Sequence, residues 1–220
     1  MNKRQAVPQQ WRCFWPHAGI WVACAGLGLL QVGAQAPPLQ RWQVVTEKST
    51  FRIELGKTGW LKALGDDHLI EIASYQCKAQ FDPSSPARGA VELTVSARAL
   101  RVLDPQLSEE KRQEVQKKME GPEVLDLTRF PTIRFISRRI APEGPNRFRM
   151  EGDLQLREST RSVVFNLTLS PESGGYRARG EVPVRLTLFG IQPPSAGGGS
   201  VKVKDEMKVV FDMLLVAGNN

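Results

Sequence analysis

The chain has 220 residues, 41% hydrophobic and 24% charged, a balance that fits one packed domain and excludes disordered and fibrous classes. Its net charge is +7, from 30 basic and 23 acidic residues, yet bases and acids are interleaved, as where Arg134, Arg138 and Arg139 stand near Glu143. A nucleic-acid binder presents a one-signed basic face, so the pattern argues against DNA or RNA as a partner.

Residues 1–34 read as a signal peptide. Lys3, Arg4 and Arg12 come with no acid, and an uncharged apolar run from Ala18 to Leu30 follows. That run falls short of the about 20 apolar residues a membrane span needs. Val32-Gly33-Ala34 offers the small-x-small cleavage pattern, which makes Gln35 the first mature residue and leaves no stable membrane span after cleavage. A lipoprotein reading at Cys24 is disfavoured by the apolar stretch from Ala25 to Leu30 behind it. Three bases and no acid leave with the signal, so the net charge falls from +7 to +4. Cys13 and Cys24 leave too, and Cys77 remains as the one mature thiol, read as a small buried strand residue.

Residues 35–41 are read as a short linker, and the domain as residues 42–217. From Trp42 onward the period is two, the alternation that puts one set of side chains on each face of a strand. Phe51 and Ile53 alternate with Arg52 and Glu54, and Val91, Leu93 and Val95 with Glu92, Thr94 and Ser96. Ser108 is placed to cap a helix that carries Glu109 and Glu110 in its first turn and Lys117 and Lys118 in its last, before Gly121-Pro122. Val115 and Met119 give it a thin apolar stripe against the sheet. Further strands are expected from Ile133 to Ile140, Phe148 to Leu156, Phe165 to Leu169, Val182 to Leu188 and Val209 to Leu215. Clusters such as Pro171 to Gly175 join them through short turns, which favours antiparallel neighbours. Pro193-Pro194 and the glycine run to Ser200 predict an irregular loop.

Catalytic signatures are missing. His68 is the one histidine of the mature chain, which excludes multi-histidine metal sites, and a single thiol excludes cysteine-rich zinc frameworks. No nucleophile elbow, phosphate loop or dinucleotide fingerprint follows a strand. The densest polar group is Asp66-Asp67-His68. Asp67 and His68 could serve a hydrolase or isomerase, but Gly65-Asp66-Asp67 is ordinary turn chemistry, with His68 satisfied by a neighbouring backbone group. No cofactor, metal or enzymatic activity is expected.

The most specific stretch of the mature chain runs from Glu123 through Phe130-Pro131 to Phe135-Ile136-Ser137. With further segments spread over Trp42 to Val216, it resembles the YceI-like family of bacterial exported proteins. Gly152-Asp153-Leu154-Gln155-Leu156 with Thr160, then Phe189-Gly190-Ile191, follow in the family's order, and Phe81-Asp82 is similar to its early strand end. Lys48-Ser49 departs from the family's His-Ser, and Cys77 stands where glycine is usual.

The resemblance implies an all-β, antiparallel, eight-stranded lipocalin-like barrel with one inserted α-helix, preceded by the signal peptide. It implies a periplasmic or secreted carrier that holds an isoprenoid, quinone or other long-chain lipid. The inward members of the strands would line the ligand, with Phe135, Phe148, Phe165, Leu167, Leu186 and Leu188 as candidates. The rival reading is an exported interaction module with a solid core, since any packed barrel demands the same alternation. Homodimer formation is left open.

Overall fold

A computed structural model of the chain describes residues 38–58, 68–196 and 201–218. The signal peptide, the Gly65–Asp67 turn and the run of glycines at 197–199 lie outside them. The strands are β1 (Gln40–Val44), β2 (Thr50–Thr58), β3 (His68–Ile72), β4 (Tyr75–Asp82), β5 (Ser85–Ser96) and β6 (Leu100–Val102). The helix α1 (Glu109–Glu120) comes next. The rest are β7 (Thr132–Gly144), β8 (Arg147–Leu156), β9 (Ser159–Glu172), β10 (Gly175–Arg185), β11 (Ser195–Ala196) and β12 (Val201–Ala217).

All pairings are antiparallel, and eight strands close a ring in the order β1, β4, β5, β7, β8, β9, β10, β12 and back to β1. The remaining core strands extend that ring. β2 continues β1 along the same partner β12, while β3 pairs β2 and β6 pairs β3. The first three walls of the barrel are therefore long strands broken in the middle: β1 with β2, β3 with β4, β5 with β6.

Where β1 breaks, Thr46–Lys48 form a single 3-10 turn, and Ser49 repairs the ladder. Its hydroxyl donates to the Val45 carbonyl at 2.7 Å and accepts the Leu214 N–H at 3.0 Å. β1 opens at Gln40 and not at Trp42, because Gln40 and Arg41 pair with Phe81 and Gln80. The stretch read as linker thus gives two residues to the barrel.

The helix forms as its caps dictate. Ser108 Oγ accepts the Lys111 N–H, and acids and bases sit at the ends that the helix dipole favours. Gln116 fixes it to the sheet, accepting the Val102 N–H at 2.9 Å and donating to the Leu100 carbonyl at 2.9 Å. These bonds satisfy the free edge of β6, which would otherwise be an open template for pairing. Met119, Leu125 and Leu127 are buried behind it and close that end of the barrel.

Two expectations about the last third are corrected. β10 stops at Arg185, and Leu186–Phe189 form a 3-10 turn that ends on Gly190 in the left-handed region. The Asp205 carboxylate draws the chain out of the strand by accepting both the Thr187 N–H at 2.9 Å and its hydroxyl at 2.8 Å. The loop after Pro194 is not wholly irregular, because Ser195 and Ala196 pair with Lys202 and Val201.

Arg177 ties three segments together on the outer face. It reaches Glu172 at 2.5 and 2.9 Å, Asp212 at 2.8 Å and the Lys48 carbonyl at 3.2 Å. The guanidinium holds the Glu172 carboxyl below the usual carboxylate range. For Asp212 partial burial pushes upward, but the bonds from Arg177 and Arg179 outweigh it and the net shift is downward. Groups with a depressed folded pKa stabilise fully above their unfolded pKa and lose that contribution as pH falls through the folded one. Replacing Arg177 with Met should lower the thermal midpoint at neutral pH. The gap to wild type should narrow as pH drops below the ordinary carboxylate range; a gap of constant width in thermal scans across that range would contradict the ionic account.

Candidate ligand-binding cavity

The alternation that builds the strands leaves the barrel underfilled. A cavity of about 200 Å3 runs along its inside and joins the two packed clusters of the interior. Of the residues that border it only Cys77 and Gln80 are polar, and Gln80, paired with exposed Ala90, turns its side chain to the outer face. Cys77, Leu93, Leu154, Val182 and Val209 lie on the inner face yet are only half-buried. Interior residues keep open surface when nothing fills the space they face.

Aromatic rings and glycines set the bore. Phe165 contacts Phe135 at 5.8 Å between ring centroids and Phe211 at 6.1 Å, forming a chain of rings around the wall. Each flanking ring lies over a glycine. A Cβ on Gly152 would come within 2.5 Å of the Phe135 ring, and one on Gly180 within 2.6 Å of the Phe211 ring. Here glycine is needed for close approach, so that the rings lie flat against the wall and leave the centre clear. Met150, Met207 and Met213 supply flexible, polarisable surface to the same space.

Of the residues proposed as lining from sequence, Phe135, Phe148, Phe165 and Leu167 stand on the cavity wall. Leu186 is buried in the core cluster at the helix end, outside the cavity lining. Leu188 is 52% exposed and points away. Both misplacements share one cause, since the 3-10 turn rotates side chains by about 120° per residue and ends the two-residue alternation. Ambiguous pairs resolve by register: Val163 and Val209 face the cavity, whereas Val164 is 37% exposed.

Cys77 is not a fully packed residue but part of this wall. Burial in apolar surroundings pushes its thiol up to about 11, because the thiolate has no partner there. At the end opposite the helix, Trp42 stacks on Phe81 at 4.7 Å, and Tyr176 meets both edge-on at 5.1 and 5.6 Å. The Trp42 indole N–H donates to the Phe81 carbonyl at 3.1 Å.

The other polar constellation lies elsewhere. His68 Nδ1 meets Asp104 Oδ2 at 2.5 Å, and Asp104 Oδ1 accepts the Leu69 N–H at 2.7 Å. His68 is thus satisfied by a carboxylate, not by the backbone group expected. Asp104 is wholly buried, and the pair clamps the segment after β6 onto β3. Neither residue lines the cavity. Among the described residues no group of three or more histidines, cysteines or carboxylates could hold a metal ion.

Comparison with known proteins agrees with this architecture. The YceI-like domain model matches residues 42–215. UPF0312 proteins of Pseudomonas savastanoi and Pseudomonas syringae are 31% identical over 84 residues, covering 36% of this chain and 44% of theirs. The matched stretch is thus under half the length of these curated relatives. Among solved structures, Burkholderia cenocepacia BcnA superposes with a TM-score of 0.61 at 19% identity, over 78% of this chain and 98% of that one. The Campylobacter jejuni YCEI protein gives 0.52 at 10% identity, over 69% and 85%. At these identities the structural likeness speaks for the fold alone, and it is the domain match across most of the chain that decides: the protein belongs to the YceI-like family.

Proposed function

We propose that this is an exported protein, periplasmic or secreted, that carries or sequesters a slender long-chain lipid of isoprenoid or quinone type inside its barrel. The observation that carries the reading is the apolar, unfilled cavity bounded by flat-lying rings. An apolar cavity of roughly 150 Å3 stays dry and holds benzene, so one of 200 Å3 favours an apolar guest over water. It is smaller than the roughly 300–1,000 Å3 of usual ligand sites, which selects a thin chain over a bulky ring system. The methionines on its wall can turn aside to lengthen it. Burial contributes about 25 cal/mol per Å2, so about 400 Å2 of chain surface supplies on the order of 10 kcal/mol before association costs. Binding, and not turnover, is what this interior suits. The N-terminal signal reading accords with an exported protein, and among the described residues no helix is long and apolar enough to cross a membrane.

Mass spectrometry of organic extracts from protein purified out of its own envelope should find one long-chain isoprenoid or quinone per chain. Clean extracts from folded protein that also ignores added lipids would favour an interaction module working by its outer face. Replacing Phe165 or Leu167 with Asp puts an unpaired carboxylate on the wall, at a cost of about 3–5 kcal/mol. Occupancy should be lost in the fraction that still folds by circular dichroism, and full occupancy there would remove these residues from the site.

Cys77 provides an independent check. With its thiol raised to about 11, alkylation by iodoacetamide at pH 8 should run on the order of a hundredfold slower than for a free thiol. Saturation with geranylgeraniol should slow N-ethylmaleimide further, whereas equal rates with and without lipid would place the guest elsewhere.

A further inference from the structure

We infer that cargo passes into the barrel through its side, between the first half of β5 and the second half of β7, and that its polar end stays in that seam. The inference rests on the carrier reading of the cavity. The β5–β7 ladder runs from Glu92 opposite Ile136 to Ser96 opposite Thr132 and no further. Beyond it β5 is paired with β4 and β7 with β8, each on its other side. The last stitch is a side chain, the Ser137 hydroxyl accepting the Val91 N–H at 2.8 Å.

The two edges cannot zip. Continuing the register one for one would set Pro86 against Pro142, and neither has an N–H to give. Both lips are also bulged, with register shifts between Gln80 and Asp82 on the strand beside β5, and between Ser137 and Arg139 on β7. Bulges bend strands and gather at barrel rims and sites. Gly89 makes the first bend feasible, since a Cβ there would stand 2.7 Å from the Gln80 carbonyl oxygen and 2.9 Å from that of Pro86.

The cavity reaches this seam. Pro86, Gly89 and Ala90 from one lip and Ile140 from the other line it, and Ala90 is at the same time exposed to solvent. A second splay, between residues 159–166 of β9 and 181–185 of β10, lacks such a mouth. Of its inward residues Val163, Phe165 and Val184 are buried and Val182 half-buried, and the Arg161 guanidinium spans it to the Leu188 carbonyl at 3.0 Å.

The seam also fixes which molecules fit. Among the described residues Cys77 is the one polar side chain on the inner wall, so a polar group drawn into the bore would lose its water without a partner. Gln80, paired with exposed Ala90 on the outer face, offers both a donor and an acceptor just outside the mouth. The cargo is thus a chain with one polar terminus, held tail inward; chains polar at both ends are rejected.

The test places a removable plug at the mouth. Ala90→Cys in a Cys77→Ala background is converted to its glutathione mixed disulfide, with Val164→Cys treated alike as the control on the other splay. Displacement of 1-N-phenylnaphthylamine by geranylgeraniol is followed by stopped flow. The adduct at position 90 should slow both uptake and release by about tenfold or more, with dithiothreitol restoring the rates. The adduct at 164 should change neither. Should Ala90→Cys fail to fold, Ile140→Cys carries the same plug from the opposite lip. Unslowed exchange with the adduct verified by mass, or slowing at 164 alone, would overturn passage through this seam while leaving the carrier reading intact. Folded, unmodified protein that takes up neither probe would overturn the carrier reading and this inference with it.

Discussion

The structure depends on the closure of one ring of strands, made where β12 turns from β10 to β1 and β2. In an open sheet or a sandwich, backbone groups at the edges must be covered and the apolar face must be packed against another layer. Closure satisfies the backbone sideways, strand to strand, and so separates the hydrogen-bonding problem from the packing problem. The interior can then stay partly empty, although the ladder is left unmade where β5 splays from β7 and β9 from β10. Breaks in the ring are mended by local means: Ser49 supplies both a donor and an acceptor where β1 gives way to β2, and Ser137 supplies an acceptor where β5 and β7 part.

The two ends of the barrel are sealed by different chemistry. At the helix end, Met119, Leu125, Phe189 and Ile191 fill the opening with close-packed side chains, held in place by Gln116 and the buried Asp104–His68 pair. At the hairpin end, the Trp42, Phe81 and Tyr176 rings form a lid one residue deep, anchored by a single indole hydrogen bond. Between them the wall is smooth because glycines take the positions under Phe135 and Phe211.

Much of this was legible in the sequence, and the reason is physical. Period-two alternation is a direct consequence of one face being apolar, so Phe135, Phe165 and Leu167 could be placed inward from their neighbours alone. The helix declared itself by Ser108 and by the charges at its two ends. Misplacement began where a distant residue decides: Asp205 bends residues 186–189 out of the strand, and nothing local to Leu186 or Leu188 reports a carboxylate 18 residues away. Asp104 likewise claims His68 from 36 residues off. The family-like stretch from Glu123 to Ser137 showed its identity but not its work. Its first half wraps the helix end, with Asp126 in the left-handed region, and its closing serine ends the β5–β7 ladder. Hollowness was illegible, because a filled barrel and an empty one require the same alternation; the glycines at 152 and 180 were its local trace.

An empty space of this kind is expensive. Cavities in protein cores destabilise by about 24 cal/mol per Å3, so 200 Å3 corresponds to about 5 kcal/mol of stability forgone. A whole domain has only about 5–15 kcal/mol in hand. Simple repacking was open to this sequence, since a larger residue at Ala79 or Ala178, both on the wall, would occupy part of the void. The cost is recovered only when a guest restores the missing dispersion contacts and shifts the folding equilibrium by mass action. On the proposed carrier reading, a hollow barrel is a molecule whose finished core includes its cargo.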